Sequence, residues 1–175
     1  MLSKLGVTCV ELRSREDLDL AYDALILPGG ESTVQGKLLR DLDMQDTLKA
    51  QIEAGLPVLA TCAGLILLAG TLENGEKCHL GTLPVTVRRN AYGRQLGSFH
   101  TDDEVKGIGS VPMTFIRAPY ITETDPEAEI LARVGGRIVG VRYRNQTAFS
   151  FHPELDDDLR IYEEFLQAAA GVAAG

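Results

Sequence analysis

The sequence has little of what stapled, metal-bound or membrane-seated proteins depend on. Its cysteines, Cys9, Cys62 and Cys78, are odd in number and widely separated across 175 residues, which excludes a disulfide framework. There is no CxxC pair and no run of Cys and His at zinc spacing. Cys78 and His79 are adjacent, but two neighbours do not make a metal site, so no metal is expected. Free thiols point to a reducing, cytoplasmic compartment. Cationic charge is also scarce: 17 Lys and Arg against 25 Asp and Glu leave a formal net charge of -8. That argues against non-specific binding to nucleic acid or to an anionic membrane, both of which need a cationic face. No stretch reaches the roughly 18 apolar residues of a membrane span. The first residues, "MLSKLGVTCVELRSRED", have no apolar core leading to a small-residue cleavage site, so no signal peptide is expected. Repeats, charge blocks and Ser/Gly linkers are lacking as well.

What is present is ordinary for a globular chain: 45% hydrophobic and 24% charged residues, with a length that predicts one domain over 1–175. Short β-rich runs alternate with helical patterns in the first half. "GVTCVEL" (6–12) and "DALILPGG" (23–30) read as strands, the second ending in a Gly-Gly turn. "STVQGKLLRDL" (32–42) reads as a helix capped by Ser32 or Thr33. A second helix, "MQDTLKAQIEAG" (44–55), is closed by Gly55. "LPVLATC" (56–62) is a buried strand, and the helical "AGLILLAG" (63–70) follows. The middle is strand-rich, with runs at 80–92, 114–122, 129–134, 137–145 and 147–155. The C-terminal segment, 156–175, is helical, with aspartates suited to its first turn. Leu159, Tyr162, Phe165, Leu166 and Ala169 share one face of it. Strand–helix alternation implies βαβ units and a parallel sheet, and the strand-rich middle implies a mixed or antiparallel extension. The expected fold is therefore an α/β three-layer sandwich, an open, mostly parallel or mixed sheet flanked by helices. Sites in such folds lie at the carboxyl ends of strands, and Gly29-Gly30, Cys62 and His152 all fall near such ends.

Three stretches carry chemistry. In "PVLATCAGLILLA" a strand runs into a helix with Cys62 at the junction and Gly64 two residues on, the pattern of a nucleophile elbow, although Ala60 stands where a glycine is usual. Unpaired N–H groups at the helix start favour a thiolate, and the Ala63 N–H would face an oxyanion formed on the carbon that Cys62 attacks. Taken alone, the stretch fits a packed core cysteine at least as well. In "FSFHPEL" the residue before proline is pushed out of the α region, so His152 should be extended, and it would share a face with Glu154. A carboxylate would then orient one ring nitrogen while the other faces the sulfur, the logic of a Cys–His–Glu triad. A strand-end surface histidine and a charge near the following helix account for each residue separately, but not for the spacing. In "PGGES" the glycines permit close approach to a ligand, and the N–H groups of Gly30 and Glu31 could supply a second oxyanion donor. An ordinary turn with a Ser cap is the plainer account.

The set "LILPGGEST", "TCAGLILLA", "VRRNAYGRQ", "FIRAPYI" and "FSFHPEL", in this order and over nearly the whole chain, resembles the class I (triad) glutamine amidotransferases. More narrowly, it resembles the glutaminase subunits of pyridoxal 5′-phosphate synthase. The resemblance implies hydrolysis of L-glutamine to glutamate and ammonia: Cys62 forms a glutamyl thioester, His152 shuttles the proton and Glu154 holds His152. It implies glutamine contacts at Gly30, Glu31, Ser32, Arg89, Ile116 and Arg117, and an oxyanion hole at Gly30 and Ala63. An arginine suits a carboxylate because it can pair bidentately; a surface ion pair is the plainer account of Arg89 and Arg117. No metal or cofactor is implied. The implied partner is a (β/α)8-barrel synthase subunit that receives the ammonia and activates the glutaminase on docking.

The chain departs from that pattern in places. The family opens with a strand, a glycine-containing loop and a helix before the stretch matching "KLGVTCVELRS"; here Met1 falls near the end of that helix. A shortened N-terminus with an exposed sheet edge is therefore expected. Acidic residues are usual where Gly97 and His100 stand, and His100 reads as a tolerated surface residue. Two other functions fit the same residues: a catalytically silent binding subunit of that complex, and a triad glutaminase serving another synthase.

Overall fold

The computed structural model describes residues 2–89 and 97–173. Its elements run β1 (Leu25–Leu27), α1 (Ser32–Asp41), α2 (Gln45–Glu53), β2 (Val58–Thr61), α3 (Ala63–Leu68), β3 (Ala69–Leu72), β4 (Leu83–Arg88), β5 (Ser98–Val105), β6 (Gly109–Ile116), β7 (Tyr120–Thr124), β8 (Glu129–Val134), β9 (Arg137–Tyr143), β10 (Gln146–Phe149) and α4 (Arg160–Ala173). Among the described residues the strands form one sheet with the path β1-β2-β10-β9-β7-β4-β3, and the β5–β6 hairpin branches from it through β8.

The sheet changes character along this path. β1 and β10 both pair β2 in parallel, as the strand–helix alternation implied, and β3 pairs β4 in parallel. From β10 onward the neighbours β9, β7, β8 and the β5–β6 hairpin are antiparallel, because strands joined by short turns have no crossover helix to reverse them. Both faces of the central strands are buried. Val58 and Ala60 of β2 and Ala148 of β10 join a core with Leu48 and Ile52 of α2 and Leu65 and Leu68 of α3. Leu59 and Phe149, one residue out of phase, join a second core with Phe115 of β6 and Ile161, Tyr162 and Phe165 of α4. Burial on both faces is why these strands read as continuous apolar runs.

Several expectations need correction. Residues 6–12 form no strand: Cys9 is exposed and Val10 is 57% exposed. A strand exists only as part of a ladder, and this segment pairs with none in the described sheet, β1 being the end of its path. The helix at 63–70 ends at Leu68, because Ala69 and Gly70 are taken into β3 against β4. The run 114–122 is split between β6 and β7 at Arg117, whose φ of +41° breaks the extended chain. Neither Ser32 nor Thr33 caps α1; the Glu31 carboxylate does, accepting from the N–H groups of Thr33 at 3.2 Å and Val34 at 2.9 Å. Gly55 does close α2, with φ +109° and its N–H on the Ile52 carbonyl at 3.0 Å. At the start of α4, Asp158 Oδ1 accepts the Arg160 N–H at 3.0 Å, with Asp156 and Asp157 preceding the helix.

Candidate active site

Because β1, β2 and β10 are mutually parallel and adjacent, their carboxyl ends open at one edge. β1 runs into Pro28-Gly29-Gly30, β2 into Cys62, and β10 through Ser150 and Phe151 into His152. Phe149 pairs Thr61 in register, and the Cys62 N–H donates to the Phe149 carbonyl at 2.8 Å, which locks the cysteine beside the histidine strand.

Cys62 is the N-cap of α3 and has φ +47° and ψ −100°. A left-handed conformation is unfavourable for a side-chain-bearing residue and persists where surroundings impose it. Those surroundings are tight: a Cβ on Gly64 would overlap the Leu27 carbonyl oxygen. Glycine there lets α3 turn directly over the end of β1, so the elbow depends on the spacing Cys62–Gly64. Cys62 is 6% exposed, and its sulfur lies 3.9 Å from the Ile116 carbonyl oxygen.

His152 and Glu154 meet, but by a route other than a shared strand face. Pro153–Leu155 is a 3-10 turn, with the Leu155 N–H on the His152 carbonyl at 3.1 Å. His152 is outside the α region (φ −111°, ψ 83°), as the following proline requires, and the turn brings Glu154 Oε1 to 2.7 Å from His152 Nδ1. A hydrogen bond to the Cys62 sulfur, then that to Glu154, pushes the His152 pKa up to about 10 against the opposing effect of burial. Both bonds favour the protonated ring, with Nδ1 on Glu154 and Nε2 left for the sulfur.

The Gly-Gly turn packs on this pair. A Cβ on Gly29 would collide with His152 Cε1 and lie 2.8 Å from Nδ1 and 3.4 Å from Glu154 Oε1. Gly30 has φ +141°, a conformation open to glycine. Gln35 of α1 donates its amide to the Gly29 carbonyl at 3.3 Å and the Pro28 carbonyl at 3.4 Å. Composition and spacing gave no sign of Gln35. Gly29 was visible only as half of a common turn pair.

The remaining residues lie around this centre. Ser32 is buried at the start of α1, and Ala63 is the first residue of α3, where helix geometry leaves N–H groups without intrahelical acceptors. Ile116 ends β6 next to the sulfur, and the exposed Arg117 follows it. Arg89, its side chain 19% exposed, holds Glu76 at 2.5 Å, Thr33 Oγ1 at 3.0 Å and Glu31 at 3.3 Å. Its Nε is buried and has no hydrogen-bond partner among the described residues. The "NAYGRQ" part of the motif that begins at Val87 lies outside the described residues. Among the described residues no group of three or more His, Cys, Asp or Glu is placed to hold a metal ion, and no helix is long and apolar enough to cross a membrane.

Comparison with known proteins places the chain in a family. The model of the SNO glutamine amidotransferase family matches residues 1–170. The chain is 60% identical over 171 residues to "Pyridoxal 5'-phosphate synthase subunit PdxT" of Desulfitobacterium hafniense, covering 98% of this chain and 86% of that one. It is 52% identical over 171 residues to the protein of the same name from Streptococcus pneumoniae, covering 95% and 88%. A crystal structure of a glutamine amidotransferase superposes with a TM-score of 0.91 at 44% identity, covering 97% of this chain and 90% of that one. The structure of PurLQS from Thermotoga maritima, at 16% identity and a TM-score of 0.61, shares the fold.

Proposed function

Because the chain belongs to the SNO glutamine amidotransferase family, we propose that it hydrolyses L-glutamine to glutamate and ammonia as the glutaminase subunit of a pyridoxal 5′-phosphate synthase. The observation that carries the reading is the convergence of Cys62, His152, Glu154 and the Gly29-Gly30 turn at the carboxyl ends of adjacent parallel strands.

The charged imidazole and the sulfur stabilise opposite charges on each other, so Cys62 attacks the side-chain amide carbon as a thiolate. The carbonyl oxygen becomes an oxyanion held by the N–H groups of Gly30 and Ala63. His152 gives its proton to the departing nitrogen, ammonia leaves, and a glutamyl thioester remains. The now neutral His152 takes a proton from water, whose oxygen attacks the thioester; collapse releases glutamate and restores the thiolate. Glu154 keeps Nδ1 engaged throughout, so that Nε2 faces the reacting atoms. Gly30, Glu31, Ser32, Ile116 and Arg117 line the place of the glutamine, and Arg89 exchanges its intramolecular carboxylates for the substrate's. The ammonia passes to a (β/α)8-barrel synthase subunit in a hetero-oligomer, in the cytoplasm, where the three thiols stay reduced.

The test is ammonia release from glutamine with and without the synthase subunit. Turnover is expected when the partner is present. Cys62→Ala should abolish it, a loss on the order of 1,000-fold or more. Synthase binding without glutamate formation, together with a Cys62 that resists a glutamine-analogue alkylator, would instead identify a silent binding subunit.

A further inference from the structure

One cluster behind the histidine is not used by the chemistry above. His100 of β5 stands directly opposite Thr114 of β6 in the antiparallel ladder, and its Nδ1 lies 3.0 Å from the Thr114 hydroxyl. That hydroxyl is 2.9 Å from Asp156 Oδ1. A carboxylate only accepts, so Thr114 donates its single proton to Asp156, and its lone pairs are left to accept from His100 Nδ1–H. The main chain of the same threonine is engaged as well, its carbonyl accepting the His152 N–H at 2.8 Å. Thr114 therefore grips both ends of the segment 152–156, through its backbone at the histidine and its side chain at the aspartate.

Between those grips lies the 3-10 turn that carries Glu154 to the imidazole. The turn is closed by the Leu155 N–H on the His152 carbonyl at 3.1 Å and the Asp156 N–H on the Pro153 carbonyl at 3.3 Å. Two weak main-chain bonds do not fix a proline-containing turn against the pull of solvent on an exposed Glu154. The Asp156 side chain is 9% exposed, and its second oxygen is buried with no hydrogen-bond partner among the described residues. A carboxylate stays in such a place only while its other oxygen is held. Thr114 holds it, with His100 Nδ1 3.6 Å away.

We infer that Thr114 and Asp156 are positioning residues for the His152–Glu154 pair, with His100 completing the hydrogen-bonded chain; the inference rests on the proposed role of His152 as the proton carrier. Loss of the Thr114 hydroxyl frees Asp156 to reach solvent and lets the far end of the turn swing, which lengthens the bond between Glu154 and Nδ1.

The test compares Thr114→Val, which keeps the shape and the strand preference but removes the hydroxyl, with Thr114→Ser, which keeps the hydroxyl. In complex with the synthase subunit, the valine variant should lose about tenfold in kcat with KM within about twofold, and the serine variant should stay within about twofold in both, as expected for a small misplacement of a reacting group. In the free chain the NMR titration of the His152 ring proton, which needs no glutamine, should move toward the ordinary histidine value in Thr114→Val and remain in place in Thr114→Ser. Asp156→Ala, which leaves the sheet untouched, should reproduce the valine result and serves where Thr114→Val fails to fold. An unmoved His152 titration in Thr114→Val or Asp156→Ala overturns the inference, as does an equal loss of kcat in the valine and serine variants. A parent protein that forms no glutamate with its partner overturns the proposed function instead, and the titration still decides the positioning role.

Discussion

Cys62 and His152 are buried and tied to main chain, whereas Arg89 is tied to the side chains of exposed carboxylates. Cys62 is fixed by the Phe149 carbonyl and by the close approach of Gly64 to β1, and His152 by the Thr114 carbonyl and the Gly29 backbone. Arg89 instead rests on Glu31 and Glu76, whose side chains are more than half exposed. Backbone-anchored groups cannot yield without moving the sheet. Exposed ion pairs are worth about 0–1 kcal/mol and exchange readily. On the proposed function, the part of the site that holds geometry through bond breaking is the rigid one, and the part that accepts and releases an amino acid is the exchangeable one.

This contrast breaks most sharply at Gly29. In Gly29→Ala the new methyl would displace the imidazole, and kcat should fall about 100-fold, the scale expected when a reacting group moves by about 1 Å. Cys62 and the fold should be retained, checked by stoichiometric thiol alkylation of the folded protein. An alanine variant with full turnover would mean that the histidine is looser than its packing implies.

A second way to sharpen the contrast uses pH. The His152 pKa is raised from 6.5 to about 10. A folded-state value above the unfolded one contributes stability that is fully present below about 6.5 and is lost as pH rises through about 10. The difference in unfolding free energy between the parent and His152→Gln should therefore be largest near pH 6 and shrink toward pH 10, read from urea unfolding at each pH. On the exchangeable side, Arg89→Gln should raise KM for glutamine about tenfold, the cost of one charge-assisted contact of about 1.4 kcal/mol, with kcat within about twofold. Equal losses in kcat would place Arg89 with the rigid group. The smallest effect is expected at Glu31. Its carboxyl is held below its ordinary range chiefly by the N–H of Val34, and Glu31→Ala removes the cap of α1, costing about 1 kcal/mol in thermal unfolding.

How far the sequence foretold this molecule follows the range of the interactions. β2, α2 and α4 are set by local patterning, and each forms where apolar periodicity and the glycine at 55 place it. The Cys62 elbow was legible because a strand–cysteine–helix junction with a glycine two residues on is a local device. The segment 6–12 has the composition of a strand, but its fate depended on a partner far along the chain. β5 was missed for the converse reason: "SFHTDDEV" is polar along its length, and pairing with "GSVPMTFI" makes it a strand. His152 and Glu154 were matched by an argument about an extended chain, yet a 3-10 turn brings them together, so the contact was legible and its geometry was not. Thr114 and Asp156 lie 42 residues apart, and nothing in either neighbourhood announces the other.

The backbone twist at Cys62 has one more consequence. A glycine at that position would relax the chain, since φ +47° with ψ −100° is open to it, and would give up the sulfur that the proposed reaction acylates. The most comfortable sequence for this elbow is an inert one, so screens that reward thermal robustness alone would drift toward dead variants here.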